Sequence, residues 1–182
     1  MKTINLYSLP VEKKYLIPAT KGPGKGLSII GKESPAHTVL KYNKVVYDLT
    51  NAIDFICAVG TPVRAAYEGE VFNLRTGITK TWDKLTEPPS EVMLPEEQDG
   101  NFVVLKHPND EFSIYSHLSE VLVEKRQTVR AGDIIGYSGN SGWSIEPHLH
   151  FMVFKFLKDY DASKGLKSLE VRWNNASTTA DF

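Results

Sequence analysis

The chain has 182 residues, 41% hydrophobic and 10% aromatic, enough for one sizeable core and short for two domains. With 21 Lys and Arg against 22 Asp and Glu, the formal net charge is −1, which implies no basic face and argues against nucleic acid as a partner. The single cysteine, Cys57, excludes an intramolecular disulfide.

Met1 to Lys14 lacks the continuous apolar core of a secretory signal, and no segment approaches the ~20 apolar residues a spanning helix needs. A soluble chain is expected, either one that stays inside the cell or one whose export segment has been removed. Residues 1–35 are punctuated by Pro18, Gly22, Pro23, Gly24 and Gly26, which predicts short strands and loops packed on the main domain. Thr38–Tyr42 and Val45–Tyr47, apolar and β-branched around Asn43-Lys44, predict a hairpin. Strands are expected again at Asn51–Phe55, Gly60–Ala66 and Glu68–Phe72. Residues 73–100 are polar, contain Pro88, Pro89 and Pro95, and predict a long surface insertion flanking a site.

Regular strands resume at Asn101–Lys106 and Phe112–His117, joined by the turn chemistry of Pro108-Asn109-Asp110. Val129–Tyr137 reads as a turn-flanked strand pair, His148–Leu157 as one long strand, and Leu169–Trp173 as a late one. The tail, 174–182, is expected to fray. The expected fold is all-β and antiparallel, with one domain over 36–173.

The run Glu146-Pro147-His148-Leu149-His150-Phe151 concentrates the candidate chemistry. Residues i and i+2 of a strand share a face, so His148 and His150 should project together while Leu149 and Phe151 point the other way. Neutral imidazole is a common metal ligand. Asp54 interrupts Ala52-Ile53 and Phe55-Ile56, where an unpaired buried carboxylate is costly; it either faces water or meets a cation. His117 is expected on the strand face of Tyr115, opposite Ile114 and Leu118. His107, beside the Pro-Asn-Asp turn, reads as a solvated turn residue. Cys57 reads as a small buried hydrophobe, since a nucleophilic thiolate would want a basic neighbour.

Asn51–Val71, Tyr115-Ser116-His117-Leu118, Val129–Gly136, Ser138–Gly142 and Pro147–Phe151 together resemble the lysostaphin/LytM-type zinc endopeptidases, in the family's order, over about Ala36 to Trp173. The resemblance implies a barrel-sandwich sheet of the duplicated hybrid type with loop insertions. It implies a Zn2+ ion held by a His, an Asp and the second His of the His-Leu-His pair, here Asp54 and His150, with His117 and His148 as catalytic imidazoles. Many relatives carry the first ligand four residues before the Asp, where this chain has Thr50; His37 is the upstream histidine available, reaching back across the expected hairpin, and Asp48 is the next candidate. Three protein ligands leave one position for a water whose pKa zinc lowers to roughly 7.

The implied activity is hydrolysis of peptide bonds in bacterial peptidoglycan, with an extended peptide bound between walls formed by the 73–100 insertion and the 138–146 turn. The implied location is periplasmic or extracellular. Trp143 belongs to that wall or is a packed edge residue. A relative that has lost ligands and binds the wall, or regulates, without hydrolysis is the second reading. A lipoyl- or biotinyl-type carrier is the third, although no modifiable lysine sits at a hairpin tip.

Overall fold

The computed structural model describes residues 1–17, 29–30, 37, 39–42 and 45–174. Their β-branched and aromatic runs form strands β1 (Ile29–Ile30), β2 (Val39–Tyr42), β3 (Val45–Asp48), β4 (Ile53–Ile56), β5 (Pro62–Arg64), β6 (Gly69–Arg75) and β7 (Thr81–Trp82). They continue with β8 (Asn101–Lys106), β9 (Phe112–Val121), β10 (Thr128–Val129), β11 (Ile134–Ser138), β12 (Gly142–Trp143), β13 (His148–Phe156) and β14 (Leu166–Leu169). Among the described residues only single-turn 3-10 segments interrupt them, so the protein is all-β, and none of its helices is long and apolar enough to cross a membrane.

Strand β13 organises the sheet. Its first half pairs antiparallel with β4, its second half with β14, and its other edge with β9. Leu149, Phe151 and Val153 point into the main core with Phe55, Tyr115 and Leu118; full burial of each such side chain contributes about 2 kcal/mol. The opposite face carries His148 and His150 and then turns apolar at Met152 and Phe154, which join Phe112, Val104 and Ala52 in a second cluster. The histidine pair therefore sits where a polar site gives way to a core.

Pairing is not antiparallel throughout. β14 runs parallel to β3, and β12 parallel to β7 in a separate two-stranded ribbon. The hairpin expected around 38–47 is present as β2 and β3, with Val39 opposite Asp48 and Tyr42 opposite Val45; Asn43 and Lys44 lie outside the described residues, as does the tail from 175. β6 runs on to Arg75 because its partner β8 offers a matching edge up to Phe102. The segment 128–138 is not a paired hairpin, since β10 joins β6 while β11 joins β5 and β9. The late strand ends at Leu169, and Glu170 and Trp173 make only single bridges, to Lys2 and Tyr7.

One further expectation is corrected, and one holds. His107 is buried, not solvated: Nδ1–H donates to the Glu68 carbonyl at 2.7 Å and Nε2 accepts from Ser113 Oγ at 2.7 Å. Burial pushes its pKa down to about 4. Cys57 is fully buried, and burial pushes its thiol up, in keeping with a packed hydrophobe. The N-terminal segment is sewn to the domain by the wholly buried Glu111, whose carboxylate accepts from the backbone N–H of Ile4 and Asn5 and from Tyr7 Oη.

Candidate metal centre

His150 and Asp54 face each other because β13 and β4 are paired in that register. His150 Nδ1 lies 2.9 Å from Asp54 Oδ1. His37, in the turn before β2, brings Nε2 to 3.2 Å from the other carboxylate oxygen, Oδ2, and its ring meets that of His150 edge-on at 5.1 Å between centroids. The hairpin makes this possible. Val39 opposite Asp48 returns the chain to the start of β4, so a residue distant in sequence stands over Asp54. His37, Asp54 and His150 each offer one atom, all within 4.8 Å of one another.

His117 reaches the cluster by a different device. The register between β8 and β9 slips by one residue, Val103 pairing with Tyr115 but Asn101 with Leu118, which is a β-bulge. His117 takes a left-handed conformation there, φ 63°. Strict alternation placed His117 on the face of Tyr115. Instead Tyr115 and Leu118 both point into the core, and the extra residue lets Ser116, opposite His150 across the ladder, and His117 both face the site. The His117 ring lies 4.7 Å from that of His148 and 5.9 Å from that of His150, and His117, His148 and His150 form a second convergent group.

Hydrogen bonds orient both flanking imidazoles. His117 Nδ1 lies 2.8 Å from the Ser141 carbonyl and His148 Nδ1 2.7 Å from the Glu146 carbonyl. A carbonyl has no proton to give, so each ring carries a hydrogen on Nδ1 and turns Nε2 toward the site. For His148 that nitrogen stands 3.6 Å from Asp54 Oδ1. Burial raises the cost of ionising Asp54, but the charge of His148 and the hydrogen bonds of His150 and His37 outweigh it and hold the carboxyl well below its ordinary range. Burial, reinforced by His148 and His150, holds His117 well below the ordinary imidazole value and so neutral. Burial lowers His150, while the hydrogen bond and charge of Asp54 more than reverse that.

A zinc ion fits this set. Two imidazoles and a carboxylate are an ordinary zinc donor set. Their donor atoms converge on one point, and the buried hydroxyl of Ser116, beside His150, has no hydrogen-bond partner. Asp48, the other upstream candidate, is turned away: its Oδ1 accepts from Thr50 N at 3.1 Å, Thr50 Oγ1 at 2.6 Å and Ser168 Oγ at 3.2 Å.

The turn after β11, expected only as a wall, supplies the carbonyls of Ser141 and Glu146 that orient the two imidazoles. It is laced to the inserted segment by Gly142 N to Lys80 O at 2.8 Å, Trp143 N to Gln98 O at 2.8 Å and Ser144 N to Trp82 O at 3.0 Å. Trp143 is half-buried, with its indole N–H donating to the Lys84 carbonyl at 2.9 Å, and so is a packed edge residue of the ribbon.

An all-β sheet bearing a His/Asp cluster with two flanking imidazoles defines a protein of the lysostaphin/LytM type. Residues 48–162, more than half of the chain, match the model of Peptidase family M23, and the chain belongs to that family. It is 29% identical over 161 residues to a metalloprotease of Buchnera aphidicola, covering 88% of this chain and 34% of that protein. It is 36% identical over 101 residues to the peptidoglycan DD-endopeptidase ShyA of Vibrio cholerae, covering 56% of this chain and 19% of that one. The chain thus spans about a third or less of these relatives' length. Among solved structures it resembles a zinc-containing peptidase from Vibrio cholerae (TM-score 0.52, 25% identity, 82% of this chain and 36% of that one). It also resembles LytU (TM-score 0.51, 25% identity, 82% and 86%).

Proposed function

We propose that the chain is a zinc-dependent endopeptidase unit that hydrolyses peptide bonds of bacterial cell-wall peptidoglycan, with residues 36–173 as the catalytic domain and 1–35 packed on it. The observation that carries this reading is the convergence of His37, Asp54 and His150 on one point, with the Nε2 atoms of His117 and His148 beside it. The relative ShyA, a peptidoglycan DD-endopeptidase, supports the substrate class.

In this reading His37, Asp54 and His150 hold the metal. When bound, zinc supplies an electrophile and lowers the pKa of a water at its open position. His117 and His148 do the proton work: one accepts the nucleophile's proton at Nε2, and the other stabilises the developing oxyanion or protonates the leaving amine. In both rings Nδ1–H is committed to a backbone carbonyl, which leaves Nε2 as the nitrogen that faces the site. The substrate is an extended peptide lying between the 73–100 segment and the 138–146 turn.

Metal analysis and cleavage assays test this. The wild type should hold about one zinc per chain, lost in His37→Ala, Asp54→Ala and His150→Ala. His117→Ala and His148→Ala should keep the metal and lose cleavage of purified sacculi. Zinc binding without hydrolysis of any wall preparation would instead favour a non-catalytic wall-binding or regulatory module.

A further inference from the structure

The backbone around Asp99 is fixed where the two walls of the site meet. Its carbonyl accepts from the N–H of His117 at 3.0 Å. On either side, Trp143 N–H donates to the Gln98 carbonyl at 2.8 Å, and Asn101 N–H donates to Ser141 Oγ at 3.0 Å. Gly100 lies so close to the turn that a Cβ there would stand 2.4 Å from the Ser141 carbonyl. The chain from Gln98 to Asn101 is therefore flattened against the 141–143 turn. The exposed side chain of Asp99 is what it presents at the edge of the metal centre.

Among the described residues this carboxylate accepts no hydrogen bond and forms no ion pair. Two other carboxylates of the inserted segment are engaged, Glu97 with Lys80 Nζ at 3.0 Å and Glu87 with Gln98 Nε2 at 3.2 Å. Arg75, whose charge Asp99 feels, gives its guanidinium to the Glu96 carbonyl instead. The packed residues around Asp99 raise its carboxyl, and the charges of His150 and Arg75 only partly offset that. A carboxylate so placed gains from a counter-cation. Asp99 belongs to neither convergent group of ligand atoms, so that cation is not the metal.

We infer that Asp99 is a specificity-determining residue that binds a protonated amine of the substrate peptide beside the scissile bond, an assignment that rests on the proposed peptidase reading. A peptide carries such an ammonium as a free α-amine or as the side-chain amine of a diamino acid, and its N–H donors suit a single accessible carboxylate. The inserted segment thereby selects substrate as well as walling it: a chain with an amine near the bond is drawn in, and an acylated one is not.

Sacculi with native, acetylated and succinylated amines, given to zinc-loaded wild type, Asp99→Asn and Asp99→Lys, test this. At limiting substrate, where the rate reads kcat/KM, wild type should cleave acetylated sacculi about fivefold more slowly than native ones. Asp99→Asn should show about that fivefold loss on native sacculi and no further loss on acetylation. Asp99→Lys should prefer succinylated sacculi, whose amines have become carboxylates, the reverse of wild type. Glu91→Gln removes a charge elsewhere on the same segment and should behave as wild type. Soluble cross-linked wall peptides acetylated on the α-amine alone or on the side-chain amine alone tell the two sources apart. If wild type cleaves no wall preparation, the peptidase reading fails, and co-sedimentation with the same sacculi reads the amine preference from binding alone. Equal cleavage and binding of native and acetylated sacculi by wild type would overturn the inference. So would an Asp99→Asn that matches wild type on both, an equal loss in Glu91→Gln, or a loss of zinc in Asp99→Asn.

Discussion

The imidazole of His37 reaches the Asp54 carboxylate at 3.2 Å, Nε2 to Oδ2, although a complete hairpin separates the two residues in the chain. The β2–β3 hairpin returns the backbone to its starting point, so the site recovers an imidazole where the nearer position, Thr50, has none. Thr50 instead closes a turn on Asp48.

That division of labour predicts opposite outcomes for two neighbours. Asp48→Ala should lower stability by about 1–3 kcal/mol, because it strands the Thr50 and Ser168 donors, while zinc occupancy stays at the wild-type level. His37→Ala should lose zinc, and it also takes a hydrogen-bond partner from the buried Asp54 carboxylate. Urea unfolding and metal analysis on the same preparations separate the two. Full zinc occupancy in His37→Ala would remove His37 from the ligand set.

The left-handed backbone at His117, φ 63°, sets a second test. Glycine adopts that conformation without strain and alanine does not. His117→Gly should therefore be more stable than His117→Ala by about 1 kcal/mol, the reverse of their usual order in a strand. Equal or inverted stabilities in denaturant melts would mean the bulge relaxes once the imidazole is gone.

His107 makes stability depend on pH. Its folded pKa, about 4, lies below the ordinary value of 6.5, so the unfolded chain binds the proton more readily. Stability is therefore full above pH 6.5 and is lost as pH falls toward 4, by on the order of 3 kcal/mol over the interval. The geometry agrees. Ala66 N–H donates to Tyr115 Oη, and Ser113 Oγ lies between Tyr115 Oη at 3.1 Å and His107 Nε2 at 2.7 Å, so a second ring proton would leave a buried hydroxyl hydrogen without an acceptor. Comparing urea midpoints of wild type and His107→Gln from pH 4 to 7 isolates the effect. Parallel curves would refute it.

Glu111→Ala should cost about 3–5 kcal/mol, since it leaves the Ile4 and Asn5 amides and the Tyr7 hydroxyl without their buried acceptor. Amide exchange of residues 3–7 should rise well above that of the sheet in any Glu111→Gln variant that folds, because the amide has only one acceptor oxygen for three donors. Unchanged protection of those residues would show that the parallel bridges to Glu170 and Trp173 suffice to hold the segment.

Local chemistry made part of this protein legible. The alternation in His148-Leu149-His150-Phe151 determines that two imidazoles share one face and two hydrophobes the other, because side chains alternate along any extended backbone, and β13 obeys it. The carboxylate of Asp54 among apolar neighbours required a cationic or hydrogen-bonding partner, and it has His37 and His150. What only the tertiary structure decided are quantities that no periodicity carries. An inserted residue reverses the face of everything after it, so the bulge at Ser116-His117 moved His117 to the site. The parallel pairing of β14 with β3 depends on strands far apart in the chain. His107 is buried because its ring is enclosed by Tyr7 and Tyr67, and both lie outside its own turn. The carbonyls of Ser141 and Glu146 that orient His117 and His148 belong to the backbone, which is chemically the same at every residue, so sequence holds no mark of them and only the folded path of the turn selects which carbonyl meets which imidazole.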